Sequence, residues 1–152
     1  MKNLFCLVLL ILCFAVPAHA ESVISADDDD ITIMLEEALA QVEFDYSCVT
    51  LNREKGMFIV DVAIDGLTEN LLSLKRDGYN ETFEAWVGLK DVMLSMHGSI
   101  VELFKAVHRE DLKLIFNVVN DDVYIREDYS TVSYNPLLSI GIYGIVAVDV
   151  ME

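Results

Sequence analysis

The chain predicts an α+β domain in which an antiparallel or mixed sheet of about four to five strands carries helices on one face. Three observations support this. The apolar period is helical from Ile31, changes to strand alternation near Asp45 and returns to helical near Leu67. The resulting order, α-β-β-α-α-β-β, fits a layered sheet with segregated helices rather than alternating βα units. The 54% hydrophobic fraction is enough for a core and excludes a disordered acidic chain.

The first helix places Ile31, Met34, Leu35, Ala38, Leu39 and Val42 on one face. The acidic run Asp27-Asp28-Asp29-Asp30 precedes it. Asp29 or Asp30 is the expected cap, and the negative charge suits the positive end of the helix dipole. These aspartates lack the spacing, the turn glycine and the later glutamate of a calcium loop, so they read as a solvated run. Two strands follow, Asp45 to Asn52 and Met57 to Asp65, joined by Arg53-Glu54-Lys55-Gly56 as a hairpin. In the second, Phe58, Val60, Val62 and Ile64 alternate onto one face. Asp61 and Asp65 are expected at a solvated sheet face.

A short helix opens at Thr68 and Glu69, buries Leu67, Leu71, Leu72 and Leu74, and stops at Asp77-Gly78. Asn80 caps a long helix to about His108, whose apolar ridge runs Phe83, Trp86, Val87, Met93, Leu94, Ile100, Val101, Phe104 and Val107. Such length brings a bend, with His97-Gly98-Ser99 the expected place because glycine weakens the helix and permits close packing. Leu112 to Val119 forms another strand. Val123 to Ser133 reads as a short strand or an extended loop. Leu137 to Val150, broken by Gly141 and Gly144, reads as a bulged strand or a tight pair of strands.

Residues 1–20 have the form of a cleavable export signal: Lys2, an apolar run from Leu4 to Val16, and Pro17-Ala18-His19-Ala20. The run would rise only about 20 Å as a helix, short of a hydrocarbon core of about 30 Å, so no integral membrane segment is expected after cleavage. Residues 21–30 read as a flexible acidic lead-in and 31–152 as one domain. Removing Lys2, the only formally charged residue of the signal, takes the net charge from -16 to about -17. That charge repels phosphates, which argues against nucleic acid as a partner. Cys6 and Cys13 leave with the signal, so Cys48 pairs between chains or not at all; its favoured reading is a small buried hydrophobe. Asn80-Glu81-Thr82 matches a glycosylation acceptor in a eukaryotic source, although a secreted chain without disulfides leans bacterial, where the destination is secretion or the periplasm.

The strand from Met57 to Asp65 running through Gly66, Leu67 and Thr68 into a short helix, then Glu84-Ala85-Trp86 in the long helix, then Leu114 to Asp121, resembles an uncharacterised domain of small exported proteins from gut Firmicutes and their relatives. The resemblance covers about Val42 to Val150 and implies export and a shared α+β fold. It carries no activity or site.

No catalytic, cofactor-binding or metal-ligating set emerges, and no cofactor is expected. His97 and His108 are about 16 Å apart along a helix, too far to share one ion unless the helix breaks. No nucleophile elbow or phosphate loop is present. Tyr124, Tyr129, Tyr134 and Tyr143 make the region from Asp121 to Pro136 the first candidate contact surface. The expectation is therefore an exported acidic non-enzymatic interaction protein, placed at the cell envelope, with a partner protein that could be basic. Self-association is a further expectation, because an apolar edge at Leu137 to Val150 would otherwise pair without control. The alternative is a small-ligand carrier or hydrolase with dispersed carboxylates between sheet and helices.

Overall fold

Eight elements follow in the computed structural model, which describes residues 26–42, 44–77, 80–120 and 136–151. They are α1 (Asp28–Ala40), β1 (Tyr46–Asn52), β2 (Met57–Ala63), α2 (Leu67–Asp77), α3 (Asn80–Ala106), β3 (Lys113–Val119), β4 (Pro136–Ile140) and β5 (Val146–Asp149). The α+β class is as predicted. The export signal, the start of the lead-in, and the segment with Tyr124, Tyr129 and Tyr134 lie outside the described residues, as does the expected element between Val123 and Ser133.

The five strands lie side by side in chain order, β1-β2-β3-β4-β5. β2 and β3 are parallel, and the other neighbouring pairs are antiparallel, so the sheet is mixed. A parallel pair cannot be joined by a tight turn. The α2–α3 connection supplies the crossover. Leu137 to Val150 resolves into two strands, with irregular register between Ser139 and Ile140.

Alternation decides which side the helices cover. Phe58, Val60 and Val62 from β2, Leu114, Phe116 and Val118 from β3, and Leu138 and Ile140 from β4 are fully buried in one core with Ile31, Leu35 and Leu39 of α1 and Trp86, Met93, Met96 and Phe104 of α3. The Phe58 and Phe104 rings sit 5.5 Å apart at 38°, a tilted contact at the centre of the layer.

Asp27, rather than Asp29 or Asp30, caps α1: its Oδ1 accepts from the Asp29 and Asp30 backbone N–H groups at 2.9 and 2.8 Å. Asp28, Asp29 and Asp30 form the first helical turn, which shortens the expected lead-in and puts their charge against unsatisfied N–H groups. Arg109 closes over the same end, bridging to Asp28 at 2.8 Å and Asp111 at 3.0 Å and donating to the Ala26 carbonyl at 3.1 Å.

α3 runs unbroken through Gly98, and a Cβ there would meet nothing within 4 Å, so that glycine serves no close packing. The helix ends with His108 in the left-handed region (φ 57), where Arg109 N–H reaches the Phe104 carbonyl at 2.8 Å and His108 N–H the Lys105 carbonyl at 3.0 Å. This double bond pattern satisfies the last carbonyls without the usual glycine. Among the described residues, four assigned to buried faces are exposed: Met34, Leu72, Phe83 and Val87. Phe83 and Val87 flank Trp86, which is 2% exposed, so the buried stripe of the helix is narrower here than its apolar ridge.

The last strand is tied to that helix by a polar contact inside the apolar layer. The Asp149 carboxylate accepts from Trp86 Nε1 at 2.9 Å, Lys90 Nζ at 2.5 Å and the Met151 N–H at 2.9 Å. Burial pushes its pKa up, but the bonds from Lys90, Met151 and Trp86 outweigh that and hold it below the usual carboxylate value. Asp149→Ala takes a buried acceptor away from the Lys90 ammonium and the Trp86 indole N–H. It is expected to cost about 3 kcal/mol in chemical denaturation, whereas Ala147→Ser, at an exposed position of the same strand, should cost less than about 0.5 kcal/mol.

Candidate functional site

On the sheet face opposite the helices, one cross-strand row traverses all five strands. Cys48 pairs with Asp61, Asp61 with Asn117, Asn117 with Ser139, and Ser139 with Val148. Strand alternation puts these side chains on one side because their neighbours, Val60, Val62, Phe116, Val118, Leu138 and Ile140, face the core. The three polar members are linked in one direction. Ser139 Oγ donates to Asn117 Oδ1 at 2.7 Å, and Asn117 Nδ2 donates to Asp61 Oδ1 at 2.8 Å.

Asp61 is only 8% exposed, which corrects the expectation of a solvated carboxylate; Asp65 is exposed as expected. Its strand is interior to the sheet, flanked by β1 and β3, so a short side chain there is shielded from water by neighbouring rows. Burial lifts its pKa above the ordinary value of 3.8, and the bond from Asn117 opposes the shift without cancelling it. The row can hold a proton at Asp61 and orient an amide and a hydroxyl. Ser139 directs its proton to an amide oxygen, and His97 lies with the helices.

Cys48 is partly buried, and its Sγ lies 3.9 Å from Thr50 Oγ1 along the strand. The structure separates the two histidines. His108 is the exposed residue that ends α3, and His97 is buried beneath the sheet, its Nε2 3.3 Å from the Leu114 carbonyl. Burial lowers the His97 pKa, with backbone bonds to Leu114 and Gly141 acting in the opposite sense. Among the described residues no group of three or more His, Cys, Asp or Glu is arranged to hold a metal ion.

His97 also underlies the β4–β5 turn. Gly144 N–H closes the turn onto the Gly141 carbonyl at 2.9 Å with φ at 69°, and a Cβ on Gly144 would sit 3.7 Å from His97 Nδ1. Glycine is required there by the backbone, and the imidazole fills the space below. The turn above it projects Tyr143, 84% exposed, and Ile145, 67% exposed. Sequence reasoning included Tyr143 in its tyrosine cluster but missed Ile145, whose exposure follows from its place beside a turn rather than from any pattern of apolar residues.

Between α1 and α3 lies a cavity of about 30 Å³, lined by Leu35, Ala38, Leu39, Met96 and Ile100. It is apolar and water-sized. No described helix is long and apolar enough to cross a membrane. No family model, curated protein or solved structure matches the chain.

Two pH effects follow. The folded state retains the Asp61 proton above pH 3.8, where the unfolded chain has lost it, so the stabilisation from this group falls as pH rises through its raised pKa. Asp61→Asn is expected to stabilise the protein at pH 7, by about 1 kcal/mol. The gain should vanish below the ordinary carboxylate value, as read by thermal unfolding across pH. For His97 the sign reverses: the unfolded imidazole takes a proton below its ordinary 6.5 while the buried one resists, so stability is lost as pH falls from 6.5 through the lowered value. A His97→Gln variant should show a smaller drop in melting temperature between about pH 7 and pH 5 than the parent.

Proposed function

We propose that this is an exported, acidic, non-enzymatic interaction protein acting at the cell envelope, with its contact surface centred on the β4–β5 hairpin. One observation carries the reading: Tyr143 and Ile145, large side chains that are 84% and 67% exposed, stand together at a turn braced by a buried imidazole. A rigid tyrosine beside an aliphatic residue offers contact area with little ordering cost, which is how interface anchors work. The form of residues 1–20 and the resemblance to small exported domains support export. The charge of -16 supports a basic partner protein, because opposite charge speeds encounter.

The alternative, a small-ligand carrier or hydrolase using carboxylates, rests on Asp61 with its raised pKa. It is the weaker reading, since Asp61 belongs to a flat row along the sheet and the 30 Å³ space between the helices is lined only by apolar residues.

Affinity capture from the native source separates these readings. The parent protein is expected to retain a partner at low salt and less of it at moderate salt. The double variant Tyr143→Ala/Ile145→Ser should retain at least tenfold less with an unchanged melting temperature. Equal retention by the double variant would overturn the hairpin as the contact surface. No retention by the parent at low salt would count against a charge-steered binder.

A further inference from the structure

The two edges of the sheet are built differently. β5 is four residues long and its pairing with β4 is irregular, both of which discourage addition of another strand. β1 has seven residues in unbroken register with β2, from Tyr46↔Ala63 to Asn52↔Met57. Among the described residues no strand pairs with its outer side. Its sequence, Tyr-Ser-Cys-Val-Thr-Leu-Asn, contains no charge and no proline, in a chain that is 24% charged. Lysine, proline, bulges and shortness are the usual protections of an exposed edge. β1 has none of them.

The residues bounding this neutral strand carry opposite charges. Asp45 precedes it and Arg53 follows it, each four positions from Val49. If a second copy adds antiparallel about a two-fold axis at Val49, Asp45 meets the partner's Arg53 at both ends. Between them Tyr46 meets the partner's Asn52, and Cys48 the partner's Thr50. Same-parity pairing keeps both helix layers on one side of a continuous sheet. Both end charges are available for exchange. Arg53 bridges to Asp29 at 2.6 Å with both side chains mostly exposed, and Asp45 uses Oδ2 to accept from the Asp65 N–H. α1, which packs on β1, leaves Ile33 and Met34 exposed.

We propose that the protein forms a two-fold dimer by antiparallel β1–β1 pairing centred on Val49, specified by reciprocal Asp45–Arg53 contacts. This surface is separate from the hairpin and does not depend on it. The register places Cys48 opposite the partner's Thr50, while the two Cys48 residues lie on a diagonal at about 7–8 Å, too far for a direct disulfide. Each copy carries a large negative charge, so association should strengthen when salt screens that repulsion.

The test combines sedimentation of the purified, processed protein with disulfide trapping. A dimer is expected at tens of micromolar protein in about 0.15 M salt, with weaker association at about 0.01 M. Thr50→Lys, at an exposed position of β1, should weaken association at least tenfold with an unchanged melting temperature. A matched Val148→Lys variant on β5 should not. Oxidising a mixture of the parent with Cys48→Ser/Thr50→Cys should yield a disulfide-linked heterodimer in preference to either homodimer. A monomer at all concentrations would overturn the proposal. So would a dimer broken by Val148→Lys but not Thr50→Lys, or a mixture in which heterodimer is not favoured.

Discussion

The parallel pairing of β2 with β3 is the constraint on which the other features depend. Six consecutive register pairs, from Met57↔Lys113 to Val62↔Val118, join strands separated by two helices. The crossover brings α3 onto one face of the sheet, and α1 packs on β1 beside it, so Leu35 and Leu39 meet Met96 and Ile100 across the helix layer. The central strands thereby lose water on that face. Their alternating residues must be apolar, and Phe58, Val60, Val62, Leu114, Phe116 and Val118 are.

Inside that layer, Asp149 and His97 each have partners. Asp149 joins a buried indole and an ammonium, locating the end of the chain against α3. His97 connects the same helix to β3 through a backbone carbonyl and fills the space under Gly144. On the opposite face, the Ser139–Asn117–Asp61 row also fixes register: a slip by one residue would send each polar side chain into the helix layer. The charges on α1, Arg53 and Arg109 sit at the margins, where water lowers their cost.

Much of the fold was legible because periodicity reports burial directly. The α1 face at Ile31, Leu35 and Leu39 and the β2 alternation at Phe58, Val60 and Val62 read correctly as a 3.6 period and a 2 period. Parallel pairing was not legible: an apolar run in β3 serves either direction. Nor was the exposure of Phe83 and Val87, because an apolar ridge does not reveal how narrow the buried stripe around Trp86 is. Asp61 was misread because the pattern of β2 identifies its face but not the residues that β1 and β3 place beside it. The Asp149–Trp86–Lys90 contact joins residues about 60 positions apart and has no local signature. Only the buried indole N–H, which needs an acceptor, hinted that one existed.

The long-range β2–β3 ladder also shapes how the chain reaches this structure. The β1–β2 and β4–β5 hairpins are local and can close on the microsecond scale typical of such units. The parallel pair cannot: Met57 meets Lys113 only after the intervening chain has been looped, and the entropy of that closure is spent before any ladder bond repays it. Until then β2 and β3 present unsatisfied backbone and apolar side chains. The slow step of folding and the interval of greatest exposure to misassembly are therefore the same event, the arrival of β3 beside β2.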